Sequence, residues 1–376
     1  MNSISVLIPD GEQRFSLRVA TCLAQIPGSS VHVLSEEQHN SIRFSRFCAS
    51  FQHCQYGNNE ELRLEQIAAA VSQTGAQIIL PASLEGIEFV SRRQADLRQF
   101  AAVAFVPQRD VFEVTLNKEL FAQTLVQHQI PHPETLSVTS DPLFLEQLAR
   151  FTFPVLIKPK FGGGGAGIHK FEDQASLLDF ITTHPEVNGT YILQRFIPGR
   201  DFGCSVLSDR GKILAYTMQA CACSRTGFTP LPELDIIHDP AILALTTRLI
   251  AALEWSGVAH IDLRYNELTQ ELEVIEINPR YWGSLLGSLV AGVNFPYLAY
   301  LSALGQDFPI PTYADTAFMG GTETVRRFWL ELKTGRFDFP AIQHSSLKFL
   351  LSDPIPYLLK TVMARLPRSP IWSTVN

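Results

Sequence analysis

The 376-residue chain reads as an α/β protein in which a parallel sheet wrapped by helices precedes an α+β unit of longer strands joined as hairpins. Three observations predict this. Over about the first hundred residues, short apolar runs alternate with helical patterns. The segment Ile130-Pro131-His132-Pro133 then interrupts the chain. Beyond it the apolar runs lengthen and follow one another at hairpin spacing.

In order, residues 4–8, 31–34, 76–80 and 103–106 read as strands. The loops Pro9-Asp10-Gly11 and Pro81-Ala82-Ser83-Leu84-Glu85-Gly86 fall at the carboxyl edge of such a sheet, where open α/β folds place ligands. Neither carries G-x-G-x-x-G, which disfavours a nicotinamide-linked dehydrogenase. Asn117 is a good N-cap for a helix running through Lys118, Leu120, Phe121 and Leu125. After the proline segment, residues 155–158, 191–196, 203–207, 213–219, 258–264 and 272–277 read as strands. One helix stands among them: Asp239 caps it, Pro240 opens its first turn, and Gly257 is expected after its last. From about residue 305 the chain is Pro-rich and ends in Tyr357, Leu358, Leu359, Val362, Met363 and Leu366 beside Lys360, Arg365 and Arg368. A basic amphipathic tail can lie on a membrane. Docking onto the protein's own body is the expectation, because the helix is short and interrupted by prolines.

A composition of 46% hydrophobic and 18% charged residues is that of globular domains. The net charge of -7 argues against broad attraction to nucleic acid or an anionic membrane, which leaves small molecules as the expected partners. No 18-residue apolar run is present, and the N-terminus enters a strand without a basic leader, so a cytoplasmic protein is expected. Cys22, Cys48, Cys54, Cys204, Cys221 and Cys223 form no C-x-x-C pair and read as reduced thiols. The nearest approach to a zinc cluster is Cys48, His53 and Cys54, which lacks a fourth ligand.

Three segments carry chemistry. In Val155-Leu156-Ile157-Lys158-Pro159-Lys160-Phe161-Gly162-Gly163-Gly164-Gly165-Ala166-Gly167, a strand ends in lysine and leads into a glycine loop. Glycine lets backbone N–H groups approach an anion closely, and lysine adds a point charge for phosphate oxygens. The lysine precedes the glycines, so this is no Walker loop, and a flexible connection is the plain alternative. Next, Glu276 and Asn278 share one strand face, and a hairpin through Asn266 to Gln270 can set Asp262 opposite them. Three oxygen donors with excess negative charge suit Mg²⁺. A solvated face is the alternative, although an unpaired Glu276 on so apolar a strand would be costly. Last, the strand Tyr191-Ile192-Leu193-Gln194-Arg195-Phe196 ends in Ile197-Pro198-Gly199, whose backbone can read the edge of a purine.

In this order and spacing, the three segments resemble the ATP-grasp superfamily, over roughly residues 115 to 300. Carboxylate–amine ligases, carbamoyl-phosphate synthetase large-chain domains and biotin carboxylase are the similar members. The resemblance implies a Rossmann-like pre-ATP-grasp domain over 1–114, a grasp subdomain with the lid over 115–190, a second with hinge and metal site over 191–305, and an extension over 306–376. It implies that Lys118 and Lys158 contact phosphates, and that Gly163, Gly164 and Gly165 belong to a lid over the β- and γ-phosphates. Gln194 stands where the family often has glutamate near the adenine amino group. Arg195 and Ile197 would give backbone hinge contacts, and Asp201 replaces the usual ribose-binding glutamate. Asp262, Glu276 and Asn278 would hold one or two Mg²⁺ ions, with Mn²⁺ an allowed substitute. Arg280 resembles the arginine that steadies the acyl phosphate or its acid precursor, so Arg280 and Lys158 are the expected catalytic residues.

The implied reaction is attack of a carboxylate on the γ-phosphate of ATP, followed by displacement of phosphate by an amine or similar nucleophile. A kinase on the same fold, or a non-catalytic ATP-binding regulator, is the rival. A carboxylic acid and an amine are the implied partners, and a homodimer is allowed. Candidate substrate groups are Glu85, Arg225 and the segment Tyr281-Trp282-Gly283-Ser284. Of His169, His238 and His260, the last shares a strand face with Asp262 and is the best general base. Plainer roles stand beside these: Arg280 pairing only with Asp262 or Glu276, Lys160 as an exposed strand-end charge, and each histidine as a satisfied structural residue.

Overall fold

A computed structural model describes residues 4–13, 15–221, 233–320, 329–335 and 344–363. The N-terminal part holds β1 (Ile4–Ile8), β2 (Ser29–Ser35), β3 (Cys48–His53), β4 (Ile78–Ile79) and β5 (Ala102–Val103) in one parallel sheet, ordered β3-β2-β1-β4-β5. The central β1, Ile-Ser-Val-Leu-Ile, is apolar on both faces, as burial under helices on both sides requires. The edge strand β3 is absent from the strands expected above, and it holds Cys48 and His53, two of the residues considered for zinc, with Cys54 just after it. There Cys48 Sγ lies 3.1 Å from the Ser50 carbonyl oxygen, and His53 Nε2 lies 3.1 Å from that of Glu36. Among the described residues no three His, Cys, Asp or Glu side chains converge on a metal position, so the zinc candidate falls.

The loops after β1 and β4 close on each other. Asp10 is fully buried and accepts the N–H groups of Ala82 (3.0 Å) and Ser83 (2.6 Å). Ser83 is itself the N-cap of the helix Leu84–Leu97, so a carboxylate of the protein already occupies this helix N-terminus.

Beyond the helix Lys118–Gln127, capped by Asn117 through the N–H groups of Glu119 and Leu120, come two antiparallel sheets. The smaller holds β6 (Thr135–Ser137), β7 (Val155–Pro159), β8 (His169–Phe171) and β9 (Tyr191–Arg195), ordered β6-β9-β7-β8. The larger holds β10 (Gly199–Asp209), β11 (Lys212–Cys221), β12 (Glu233–Ile237), β13 (Gly257–Asn266), β14 (Glu271–Asn278) and β15 (Thr316–Met319), ordered β14-β13-β10-β11-β12-β15. The helix Pro240–Ala252 packs Ile242, Leu249 and Ile250 against Cys204, Ile261 and Ile277 on one face of the larger sheet. The opposite face carries His260, Asp262, Glu276 and Asn278 toward one end, while Leu207, Ala215 and Val258 on it join the core of the parallel unit. This helix ends at Leu253, not at Gly257 as expected: Glu254 takes φ 45° and turns the chain early. Gly257 instead opens β13, where a Cβ would lie 2.4 Å from the Phe105 carbonyl oxygen, so glycine lets the parallel unit abut the larger sheet.

The β13–β14 turn forms as expected, with the Asn266 side chain accepting from Leu268 (3.0 Å) and its carbonyl accepting from Gln270 (2.8 Å). At the C-terminal end, the helices Leu347–Ser352 and Pro354–Met363 meet at Asp353. Asp353 is buried and accepts the Ser45 hydroxyl and the Arg46 N–H, which docks this segment on the parallel unit. No single helix among the described residues is long and apolar enough to cross a membrane.

Candidate active site

Cross-strand pairing builds the site. In β13 and β14, Asp262 stands opposite Glu276 and His260 opposite Asn278, with an irregularity in register just after Asp262. Asn278 donates to Asp262 Oδ2 at 2.8 Å, and Arg280 Nη2 donates to Asn278 Oδ1 at 2.9 Å. The donor set is two carboxylates and an amide oxygen. Hard oxygen donors of this kind fit Mg²⁺ or Mn²⁺ and not zinc.

Charge balance singles out the same residues. Removal from water pushes Glu276 above the usual carboxylate range; Lys118, Lys158 and Arg280 oppose that shift, and Asp262 adds to it. Lys158 is 6% exposed, and burial lowers its ammonium to about 8 against the pull of Glu276. Two groups of opposite sign, Lys158 buried and Glu276 half-buried, thus stand together, each displaced toward neutrality.

The glycine loop lies over this cluster. A Cβ at Gly163 would stand 3.7 Å from Glu276 Oε1, and Gly162, Gly164 and Gly165 hold positive φ, which other residues rarely adopt. Lys118 Nζ donates to the Gly162 carbonyl at 2.5 Å and so holds the root of the loop. Lys160, considered as an exposed charge, is instead largely covered and pairs with Glu119 at 2.6 Å.

The hinge strand is more occupied than expected. Gln194 accepts from Lys158 Nζ at 2.5 Å and donates to Thr135 Oγ1 at 3.0 Å, so it orients the lysine. Arg195 turns away to pair with buried Glu273 at 2.6 Å, tying β9 to β14. Arg264 was not singled out in the sequence. Its Nε donates to the Ile197 carbonyl (2.6 Å) and its Nη1 to Asp201 Oδ1 (2.5 Å), joining both hinge candidates through one guanidinium. Its position two residues beyond Asp262, on the same strand face, was the available signal.

Of the three histidines only His260 belongs here. Its Nδ1 is 2.8 Å from Ser205 Oγ and its Nε2 is 3.5 Å from Asp262 Oδ1. His169 lies tilted against Phe180, and His238 lies between Tyr313 and Asp315. Arg280 also covers the ring of Phe15 at 4.8 Å, bringing the parallel unit to this cluster. Glu85 stands exposed in the first turn of its helix, and Arg225 lies outside the described residues.

Residues 115–284 match the ATP-grasp domain family. The chain is 25% identical over 220 residues to the carbamoyl phosphate synthase large chain of Clostridium botulinum (strain Eklund 17B), covering 56% of this chain and 19% of that protein. It thus spans about a fifth of the length of such relatives. N5-carboxyaminoimidazole synthetase from Staphylococcus aureus, solved with ADP, superposes with a TM-score of 0.68 at 14% identity, over 88% of this chain and 87% of that one. L-amino acid ligase from Bacillus licheniformis superposes with a TM-score of 0.58 at 18% identity, over 81% and 74%.

Proposed function

From the match of residues 115–284 to the ATP-grasp domain family, we propose that the protein is a ligase that activates a carboxylate with magnesium-bound ATP and joins it to an amine. One observation carries this: Asp262, Glu276, Asn278 and Arg280 meet on one sheet face, beneath Gly163 and beside buried Lys158. A regulatory relic could keep the shape of the fold, but buried charges without a ligand would cost it stability.

Asp262, Glu276 and Asn278 would hold the magnesium, which supplies charge neutralisation between the terminal phosphates. Lys158, oriented by Gln194, and Lys118, at the root of the loop, bind phosphate oxygens. Arg280 holds the acid, whose carboxylate oxygen attacks the γ-phosphate as ADP departs. The amine then attacks the acyl carbon, the C–O bond to phosphate breaks, and inorganic phosphate leaves. Closure of the loop 162–167 keeps water from the acyl phosphate. Catalysis of this kind is positioning and electrostatics, so no protein nucleophile is needed. L-amino acid ligase, among the similar structures, supports an amine as the acceptor. The protein would act on small molecules in the cytoplasm.

The test is release of phosphate from ATP by purified protein, with amino acids and other carboxylic acids offered singly and in pairs. Release that requires both an acid and an amine supports the ligase. ADP formation with a stable phosphoester product would replace it with a kinase.

A further inference from the structure

Where the tip of the β10–β11 hairpin meets the parallel unit, two adjoining cavities of about 570 and 350 Å³ share Phe105, Asp209 and Arg210. Their walls are fixed by backbone. Gly257 lies against the Phe105 carbonyl, Arg210 N–H donates to Ser256 Oγ at 2.8 Å, and Gly211 N–H donates to the Trp255 carbonyl at 3.0 Å. The larger cavity is lined by Lys212, Asp307 and Phe308, and the smaller by Arg98. Three cations, two acids and two aromatic rings therefore line the two cavities.

Arg210 is the informative residue. It and Gly211 take φ 44° and 79°, a two-residue turn with positive φ at both centres, where Asn-Gly or Gly-Gly is ordinary. An arginine there holds a conformation that its Cβ disfavours, and a strained residue points to a use for its side chain. That use is not internal packing: the side chain is 85% exposed, and its ion pair with Asp209 is long at 3.4 Å. Among the described residues, Arg98 and Lys212 make no salt bridge.

We infer that this trough is a binding site for a small organic anion, a carboxylate or phosphate head group on a flat apolar body. Arg210 takes the head group at the junction of the cavities, with Lys212 to one side and Arg98 to the other. Phe105 and Phe308 take the body. The site is separate from the ATP site, because Asp209 stands six residue steps along β10 from Gly203, the partner of Asp262, a span of about 20 Å.

Isothermal titration of the full chain with phenyl phosphate, benzoate and inorganic phosphate tests this. Saturable one-to-one binding of phenyl phosphate or benzoate is expected, and which of the two binds tighter identifies the head group. Arg210→Gly relieves the turn, so the variant should melt at or above the wild-type temperature while binding at least tenfold more weakly. Glu276→Gln should bind as wild type does. The inference is overturned if neither aromatic anion saturates the wild type, if Arg210→Gly binds equally well, or if Glu276→Gln loses the binding. Inorganic phosphate binding as tightly as phenyl phosphate would also overturn it, by removing the apolar body.

Discussion

Asp10 and Glu276 are both carboxylates drawn out of water at the end of a strand, and burial pushes both above the ordinary range. Their surroundings differ. Asp10 is closed in by its own protein: it accepts from Ala82 and Ser83, and a Cβ at Gly86 would stand 2.1 Å from its Oδ2, so no room remains. Glu276 faces three cations and a loop of glycines. The first carboxylate uses its hydrogen bonds to hold two loops of a parallel sheet together. The second stands among Lys118, Lys158 and Arg280, where the proposed metal would meet it. Burial alone therefore does not single out a carboxylate for the proposed site; the glycine-covered side is what distinguishes Glu276 from Asp10.

The largest effect expected from this contrast is on turnover. Glu276→Gln keeps shape and removes a charge, and ATP turnover should fall at least a hundredfold, about 2.7 kcal/mol of transition-state stabilisation. The melting temperature should hold or rise. Wild-type turnover in this variant would end the metal assignment. Asp10→Ala should do the reverse, since the N–H groups of Ala82 and Ser83 would lose their buried acceptor. The expected cost is about 2 kcal/mol of stability, read by denaturant melts, with turnover per folded molecule unchanged.

How far this contrast was legible in the sequence differs between its halves. Glu276, Asn278 and Asp262 could be placed together because strand alternation and one hairpin suffice, and Asn266 holds that turn as its residue type suggests. The closure of Asp10 on Ala82 could not be read, since it joins residues 72 apart through a fold not yet built. Strand β3, Cys-Ala-Ser-Phe-Gln-His, escaped because an edge strand needs little apolar alternation. The short strands β6, β8, β12 and β15 were missed, all of them three to five residues long and on or next to sheet edges. Gln194 and Arg264 show a further limit. A motif assigns positions, but only the fold shows that Gln194 holds Lys158 and that Arg264 holds both Ile197 and Asp201.

Lys158 sharpens the contrast from the cationic side. Burial, the largest influence, lowers its ammonium to about 8, so near pH 8 about half of the ligand-free protein carries it neutral. Phosphate oxygens restore the charge. ATP binding should therefore take up on the order of half a proton near pH 8 and almost none below pH 7, and ATP affinity should weaken as pH rises through 8. Calorimetry in buffers of different ionisation enthalpy measures this. No uptake would separate Lys158 from the phosphates.

The smallest effect belongs to Glu12, on the loop that also carries Asp10. Burial, and then the charge of Asp10, raise its carboxyl to about 7. A raised carboxyl binds a proton more tightly folded than unfolded, so the stability it contributes is complete below about pH 4.5 and is lost as pH rises through 7. Glu12→Gln removes the titration. Variant and wild type should melt alike near pH 4, and at pH 8 the variant should be the more stable by ~1 kcal/mol, a figure discounted for partial exposure. Turnover should not change. If Glu12→Gln instead abolished turnover while melting as predicted, the parallel-sheet edge would share in the chemistry, and the division between a carboxylate that builds and a carboxylate that binds would have to be redrawn around the loop from Asp10 to Phe15.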